Sequence, residues 1–233
     1  MEYKFCENDN FEDYSSGRVL YGKRGIPNFP VRLINEIFRR CIYYCENKRD
    51  LTIYDPCCGG GYSLTVLGLC NNEVIADILG SDIDKQMIEY AKKNTDLLSK
   101  AGLQKRIDEI EEMLQLYNKA SHSEALESAK RIKDVIKHDI NIDIFEADCT
   151  TPQNIDKKID IIITDVPYGN LVDWKGEQES GISIMMKQLS KIANPSTILA
   201  ISMDKHEKVN NDEWKRFEKN IIGKRKFEIY KLI

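Results

Sequence analysis

Short apolar runs alternate with amphipathic segments along most of the chain, and this alternation predicts the fold class. Between the runs, apolar residues recur at spacings of three and four, as on the buried face of a helix. Strands that alternate with helices indicate an α/β fold built on a doubly wound, mainly parallel sheet. The apolar runs read as strands are residues 51–55, 74–80, 142–145, 159–164, 198–203 and 226–233.

Two regions depart from the alternation. The first 29 or so residues are polar and rich in turn-forming residues, and a helix is expected to begin near Pro30. Between the second and third strands, helical spacing recurs on both sides of a polar break, which predicts an inserted helical hairpin at about 101–139. We expect it to cover a flank of the sheet, with a substrate or partner surface as the alternative. The predicted organisation is an N-terminal loop and helix extension, residues 1–50, followed by a domain of residues 51–233.

Composition and charge restrict the classes of function. The chain has 233 residues, of which 42% are hydrophobic and 31% are charged, enough for a substantial core. A net charge of −4 argues against a general polyanion binder, yet residues 18–49 carry eight basic and two acidic side chains. That segment is either a docking surface for nucleic acid or a solvated helix face. No run suits a membrane helix or a signal peptide. None of the seven cysteines forms a C-x-x-C pair, and the i, i+4 pair Cys41 and Cys45, which could hold half a metal site, has no second ligand pair nearby. We therefore expect a cytoplasmic protein with reduced thiols and no metal.

The first strand ends in Asp55, and three glycines follow at 59–61. Glycines at this point let the backbone turn sharply and approach a ligand closely. Asp55 would repel a pyrophosphate, and Leu64 occupies the third glycine position of the dinucleotide fingerprint, so a nicotinamide cofactor fits poorly. S-adenosylmethionine fits better, because its methionyl end carries an ammonium group and a sulfonium. The residues of this loop predicted to bind the cofactor are Asp55, Cys57, Gly59 and Gly61.

Acidic residues also follow the second and third strands. Asp82 ends the second strand, where its carboxylate can accept hydrogen bonds from both ribose hydroxyls of an adenosyl group. Asp84 is assigned to capping the next helix. Asp148 follows the third strand and either accepts from the adenine amino group or only forms a turn.

The fourth strand leads into Asp165, Val166, Pro167 and Tyr168. This sequence resembles the [DN]-P-P-[YF] motif of methyltransferases that act on nitrogens of nucleobases. Such a nitrogen needs an acceptor in the plane of the base and a fixed line to the methyl donor. Asp165 or neighbouring backbone carbonyls can supply the acceptor, Pro167 stiffens the turn and Tyr168 offers a stacking face. Trp174 either holds the base as well or fills a core.

Five segments spread over nearly the whole chain form one combination: SGRVLY (16–21), FPVRLINEIF (29–38), DPCCGGGYSLTVLGL (55–69), TDVPYG (164–169) and DWKG (173–176). Together they resemble the AviRa-type avilamycin-resistance methyltransferases, which are class I, Rossmann-like enzymes. In this family residue 60 is usually serine and residue 166 usually leucine, whereas this chain has Gly60 and Val166. Neither difference removes a group assigned to chemistry.

The resemblance implies transfer of a methyl group from S-adenosylmethionine to a guanine of large-subunit ribosomal RNA, with ring N1 favoured, and resistance to orthosomycin-type antibiotics. It also implies that the segment ending at Tyr21 folds over the methionyl part of the cofactor. Two alternatives stay open: another nucleobase nitrogen in RNA or DNA, such as an exocyclic amine of adenine or guanine, and a non-catalytic module that binds adenosyl groups or RNA. The basic residues expected to contact RNA phosphates are Arg18, Lys23, Arg24, Arg32, Arg39 and Arg40.

Overall fold

Seven strands form one sheet in the computed structural model, which describes residues 1–22, 28–166 and 181–233. Their order across the sheet is β3-β2-β1-β4-β5-β7-β6, with the first five in chain order mutually parallel and β7 antiparallel to both of its neighbours. The predicted doubly wound α/β fold is confirmed. The strands are β1 (Leu51–Asp55), β2 (Ile75–Asp82), β3 (Asn141–Glu146), β4 (Ile161–Asp165), β5 (Ile198–Asp204), β6 (Trp214–Ile222) and β7 (Arg225–Leu232).

The strand order places a ligand crevice between the carboxyl ends of β1 and β4. From β1 the chain moves outward to β2 and β3, and then returns to add β4 on the other side of β1. Every residue of β1 is buried, as expected for a central parallel strand covered on both faces. Loops that leave adjacent parallel strands in opposite directions open a crevice at this point, where such folds bind their ligands.

Helices cover both faces of the sheet. The predicted hairpin is present as two successive helices, and it turns at Asn118 with a left-handed φ of 45°. The N-terminal residues Val19 and Leu20 have no exposed surface and lie in the same core as β1. The helices are α1 (Val31–Tyr44), α2 (Tyr62–Cys70), α3 (Lys85–Asp96), α4 (Lys100–Tyr117), α5 (Ala120–Val135) and α6 (Gly181–Ile192).

One buried ion pair holds the N-terminal residues against α1. The Glu36 carboxylate accepts the backbone N–H groups of Lys4, Phe5 and Cys6, each at 2.8 Å. Burial disfavours the charge of Glu36, but these amides and Arg40 outweigh it and keep its pKa below the ordinary value. Arg40 is 2% exposed and pairs with Glu36 and Glu218. The expectation that Arg40 contacts RNA phosphates is therefore wrong, because its charge is used inside the protein.

Strand β6 is absent from the predicted elements. The apolar residues of its sequence, WKRFEKNII (214–222), do not alternate with polar ones, so the pattern of a half-buried strand is missing. The strand lies at the edge of the sheet. Gly223, at φ 60°, turns the chain from β6 into β7. No helix in the described part of the chain is long and apolar enough to cross a membrane.

Candidate active site

The loop after β1 is folded tightly against the end of β2. The Cys58 amide donates to the Ser81 carbonyl at 2.8 Å, and the Gly61 amide donates to the Cys58 carbonyl at 2.9 Å. Gly59 and Gly61 have φ values of 53° and 73°, which side-chain-bearing residues rarely adopt. A Cβ atom on Gly61 would lie 2.8 Å from the Ala91 Cα of α3. Glycine at 61 thus allows α2 to start at the crevice, close against α3.

Asp82 fixes this loop through its carboxylate. One oxygen accepts the Gly59 amide at 2.8 Å and the other accepts the Asp84 amide at 2.9 Å. Burial raises the pKa of Asp82, and these backbone hydrogen bonds oppose the rise. A carboxylate oxygen has two acceptor sites, so both oxygens keep capacity for ribose hydroxyls. Asp84 accepts the Gln86 amide at 2.7 Å, which confirms its predicted role as the cap of α3.

Asp55 is the most deeply buried acid of the site, with 4% of its surface exposed. Its carboxylate accepts the Cys57 amide at 3.0 Å. Burial raises the pKa of Asp55 to about 7, and the charges of Asp82 and Asp165 add to the rise, whereas the nearby Thr164 hydroxyl and the hydrogen bond from the Cys57 amide oppose it. Three strand ends therefore bring three carboxyl groups within electrostatic reach of one another. Such a concentration of negative charge suits a cationic ligand.

Asp165 is the last residue of β4, and its side chain lies close to an arginine of β7. Its Oδ2 lies 3.6 Å from Nη1 of Arg225, the first residue of β7. The guanidinium of Arg225 also lies over the Phe29 ring, 4.9 Å from its centre. The Val166 amide donates to the Ser202 carbonyl at 3.0 Å and so fixes the chain as it leaves β4. Pro167, Tyr168 and Trp174, which were also predicted to act here, lie outside the described residues.

Asn94 of α3 joins the N-terminal segment to the glycine loop. Its side-chain oxygen accepts the Tyr21 amide at 2.8 Å, and its amide nitrogen donates to the carbonyls of Tyr21 at 3.1 Å and Gly60 at 2.8 Å. The Tyr21 ring lies under Arg106, and its hydroxyl donates to Glu109 at 2.8 Å. The Asn94 side chain thus connects the backbone of the segment predicted to fold over the cofactor to the backbone of the glycine loop. Contact between Tyr21 and the cofactor stays a prediction.

Asp148 forms a turn after β3. One carboxylate oxygen accepts both the amide of Thr150 at 2.8 Å and its hydroxyl at 2.6 Å. The next residue, Cys149, has its sulfur 3.5 Å from the sulfur of Cys57, so this turn lies beside the glycine loop. The turn-forming alternative for Asp148 describes its contacts in the structure, and a contact with adenine stays a prediction.

Two basic N-terminal residues that were predicted to contact RNA phosphates form hydrogen bonds within the protein. Arg18 donates to Glu124 at 3.3 Å and to Ser128 at 3.4 Å, both on α5. Arg32 donates to the Cys6 carbonyl at 3.1 Å and lies over the Tyr3 ring. Their contacts with RNA stay predictions, and Lys23 and Arg24 lie outside the described residues.

Sequence reasoning missed Asn94, Arg106 and Arg225. Each of them contacts at least one residue far away along the chain, as shown by the separation of 73 residues between Asn94 and Tyr21. Only Asn94 left a signal, because asparagine inside a helix is disfavoured and often has a specific hydrogen-bonding role.

Comparisons with known proteins give one consistent result. Residues 1–225 match the protein family described as rRNA methyltransferase AviRa. A 23S rRNA (guanine(2535)-N(1))-methyltransferase of Streptomyces viridochromogenes is 32% identical over 228 residues, which cover 94% of this chain and 91% of that protein. A solved structure of the rRNA methyltransferase AviRa from Streptomyces viridochromogenes superposes with a TM-score of 0.88 at 31% identity, over 97% of this chain and 94% of the other. A putative methyltransferase from Escherichia coli, YhhF, matches at 11% identity with a TM-score of 0.52, over 90% of this chain and 89% of that one, and so shares the fold.

Proposed function

Because this chain belongs to the AviRa family of ribosomal RNA methyltransferases, we propose that it methylates ring N1 of a guanine in large-subunit ribosomal RNA. The relative from Streptomyces viridochromogenes is named for methylation at guanine N1. The observation that carries the proposal is the meeting of the glycine loop, Asp55, Asp82 and Asp165 at one crevice. An enzyme with this substrate acts in the cytoplasm, where ribosomes are made and used.

The residues at the ends of β1 and β2 fit S-adenosylmethionine, which when bound supplies an electrophilic methyl group. Asp82 would accept hydrogen bonds from the ribose hydroxyls while it continues to hold the Gly59 amide. Asp55 and the adjoining carboxyl groups would favour the positively charged methionyl end. Cys57, Gly59 and Gly61 would form the floor of the site, because their backbone approaches the crevice without bulky side chains.

Asp165 is the proposed proton acceptor. Guanine N1 carries a proton, and this proton must leave as the nitrogen forms its new bond to carbon. The Asp165 carboxylate would accept it, with Arg225 beside it to favour the ionised, accepting form. An ordinary aspartate is a weak base, so its placement in the plane of the base contributes more than its basicity.

The first test identifies the product. Protein-free large-subunit ribosomal RNA is incubated with the enzyme and methyl-labelled S-adenosylmethionine, digested to nucleosides and analysed by mass spectrometry. We expect label in 1-methylguanosine at one position. Label in adenosine, or in the exocyclic amine of guanosine, would overturn the proposed target atom.

The second test separates two roles of Asp165, accepting a hydrogen bond and taking up a proton. Asp165→Ala removes acceptor and base together and should abolish transfer, with binding of S-adenosylmethionine retained. Asp165→Asn keeps an acceptor oxygen but takes up no proton, and its rate should fall by about 10² or more if proton acceptance matters. Near-normal turnover of Asp165→Ala would remove this residue from the mechanism.

Resistance to antibiotics is tested in cells. A susceptible bacterium that lacks the modification should tolerate more avilamycin when it expresses the wild-type chain, and no more than before when it expresses Asp165→Ala. Equal tolerance of the two strains would argue against this biological role.

A further inference from the structure

Four aromatic side chains form a continuous row on the surface away from the crevice. We call Phe5, Tyr43, Tyr44 and Phe217 the aromatic row. The ring centres of Phe5 and Tyr43 are 6.0 Å apart, those of Tyr43 and Tyr44 are 5.3 Å apart, and Tyr44 stacks on Phe217 at 5.6 Å. The row therefore joins the N-terminal segment, the end of α1 and strand β6 into one surface.

The row is exposed to an extent that packing alone does not explain. Tyr43 is 67% exposed, Phe217 is 44% exposed and Phe5 is 38% exposed. Scattered apolar residues are common on protein surfaces, but contiguous exposed aromatic groups mark interaction sites. Phe217 also occupies the position where the pairing between β6 and β7 shifts register, between Arg216 and Glu218. The irregularity presents an additional aromatic side chain next to Tyr44.

Basic residues lie beside the row, together with Glu218, whose carboxylate accepts the Tyr44 hydroxyl at 3.3 Å. Arg39 donates to the Phe5 carbonyl at 3.2 Å, and Lys48 donates to the Tyr43 carbonyl at 3.0 Å. Burial and the charge of Asp160 raise the pKa of the Cys45 thiol, whereas Lys48 and Lys231 lower it, which places both lysines near the end of α1.

Two of the surrounding cations face each other. Lys215 of β6 lies directly opposite Lys231 of β7, and like charges at opposed positions destabilise a sheet. In the described part of the chain, neither these lysines nor Arg39 and Lys48 form an ion pair with a carboxylate. The charges of Arg39, Lys215 and Lys231 are therefore available to an anionic partner, whereas Lys48 already donates to the carbonyls of Ile42, Tyr43 and Cys45 at the end of α1.

We propose that the aromatic row binds unpaired nucleotides of the ribosomal RNA outside the target base, which rests on the proposed function. Exposed rings stack on bases of any identity, and the adjoining cations meet the phosphates. Double-stranded RNA hides its base faces inside the helix, so single-stranded or looped RNA is the form that this surface fits.

The position of the aromatic row in the fold allows one extended RNA strand to contact both the row and the crevice. Helix α1 follows Phe29, which contacts Arg225 beside Asp165, and ends at Tyr44 in the row. A helix of 14 residues is roughly 20 Å long, a distance that a few nucleotides of extended RNA can span. The target base and the stacked nucleotides can therefore lie along one flank of the protein.

The test measures binding of protein-free large-subunit ribosomal RNA, by filter retention, together with its methylation. Tyr43→Leu combined with Phe217→Leu keeps apolar side chains but removes the ring faces, and it should raise the Kd and the KM for RNA about tenfold. The turnover number at saturating RNA and the Kd for S-adenosylmethionine should not change. Tyr43→Trp, which keeps a ring, should bind within about twofold of the wild type.

Tyr117→Leu is the positional control. Tyr117 is 61% exposed at the turn between α4 and α5, outside the row, and its replacement should leave RNA binding unchanged. A second variant, Lys231→Gln, removes one of the two opposed lysines. It should increase resistance to urea, weaken RNA binding and reduce the slope of log K against log salt by about 0.7.

The outcomes separate this inference from the proposed function. Unchanged RNA binding in the Tyr43→Leu and Phe217→Leu double variant would overturn the role of the row. The role of the row would also be overturned if this double variant bound assembled ribosomal subunits more weakly but protein-free RNA normally, because that would indicate a protein partner. If the wild type binds RNA through the row but adds no methyl group, the row stands and the proposed function fails.

Discussion

At the level of single residues, Asp55 combines deep burial with a predicted role in binding a cation. Its pKa of about 7, against an ordinary value of 3.8, means that the folded protein binds this proton more tightly than the unfolded chain does. Between these two pH values, the contribution of Asp55 to stability therefore falls as the pH rises. The buried charge present above pH 7 is what a cationic ligand would neutralise.

Asp55→Asn should remove this pH dependence. Asparagine keeps an oxygen for the Cys57 amide but does not ionise, so the free energy of unfolding of the variant, relative to wild type, should rise between pH 5 and pH 8 by on the order of a few kcal/mol. Urea unfolding without ligand at several pH values measures the difference. A difference that is constant over this range would show that Asp55 titrates normally.

We expect Arg225 to position Asp165 and to favour its ionised form, without contacting the methyl group. Arg225→Met keeps apolar contact with Phe29 but removes the positive neighbour of Asp165. The acid limb of the pH profile of kcat should move to higher pH by about 1 to 3 units, so that activity is lost at acidic pH and recovers towards neutral pH.

The binding of S-adenosylmethionine to Arg225→Met, measured by titration calorimetry, should match that of the wild type. An equal loss of activity at every pH would instead indicate that Arg225 has only a structural role.

At the level of elements, the link between β1 and α2 depends on one position. Gly61→Ala meets two penalties, a positive φ of 73° and a Cβ atom 2.8 Å from the Ala91 backbone. Gly223→Ala is the matched control, because its φ of 60° is similar and no atom lies within 4 Å of the added Cβ. The control should lose about 1 kcal/mol of stability and keep its cofactor affinity.

Gly61→Ala should lose clearly more stability than the control and most of its affinity for S-adenosylmethionine, because α3 or the loop must shift. Thermal unfolding and equilibrium titration of both variants measure the two effects. Equal behaviour of the two variants would show that the close contact with α3 is tolerated.

The elements differ in how well the sequence predicts them, for physical reasons. Strand β1 has the predicted limits, because Pro56 and the glycines end it sharply. The acids at the strand ends were predictable, since parallel strands bring their carboxyl ends to one edge. Strand β6 was not, because its apolar residues do not alternate with polar ones along the sequence. Arg225 was not either, because only the antiparallel pairing of β7 with β5 brings it to Asp165.

At the level of the whole molecule, the site is assembled from most of the chain. The loops after β1 and β2 form the proposed cofactor half, β4 supplies the acceptor and β7 supplies its partner. A ligand that bridges these parts should stabilise the native state as a whole. At 100 times its Kd, S-adenosylmethionine should add about 2.7 kcal/mol to the free energy of unfolding of the wild type.

The same concentration of S-adenosylmethionine should add little to the stability of Gly61→Ala. Urea unfolding with and without the cofactor measures both. Equal stabilisation of the two proteins would place the binding site away from the glycine loop.

The irregularity at Phe217 has a consequence for solubility. Strand β6 is an outer border of the sheet, and its unpaired backbone groups could template the same strand of another molecule. The extra residue kinks this border, and the flanking lysines repel a second copy. Deletion of Phe217 would straighten the strand and should promote self-association, which light scattering would detect. The feature proposed to capture nucleotides therefore also protects the enzyme from aggregation.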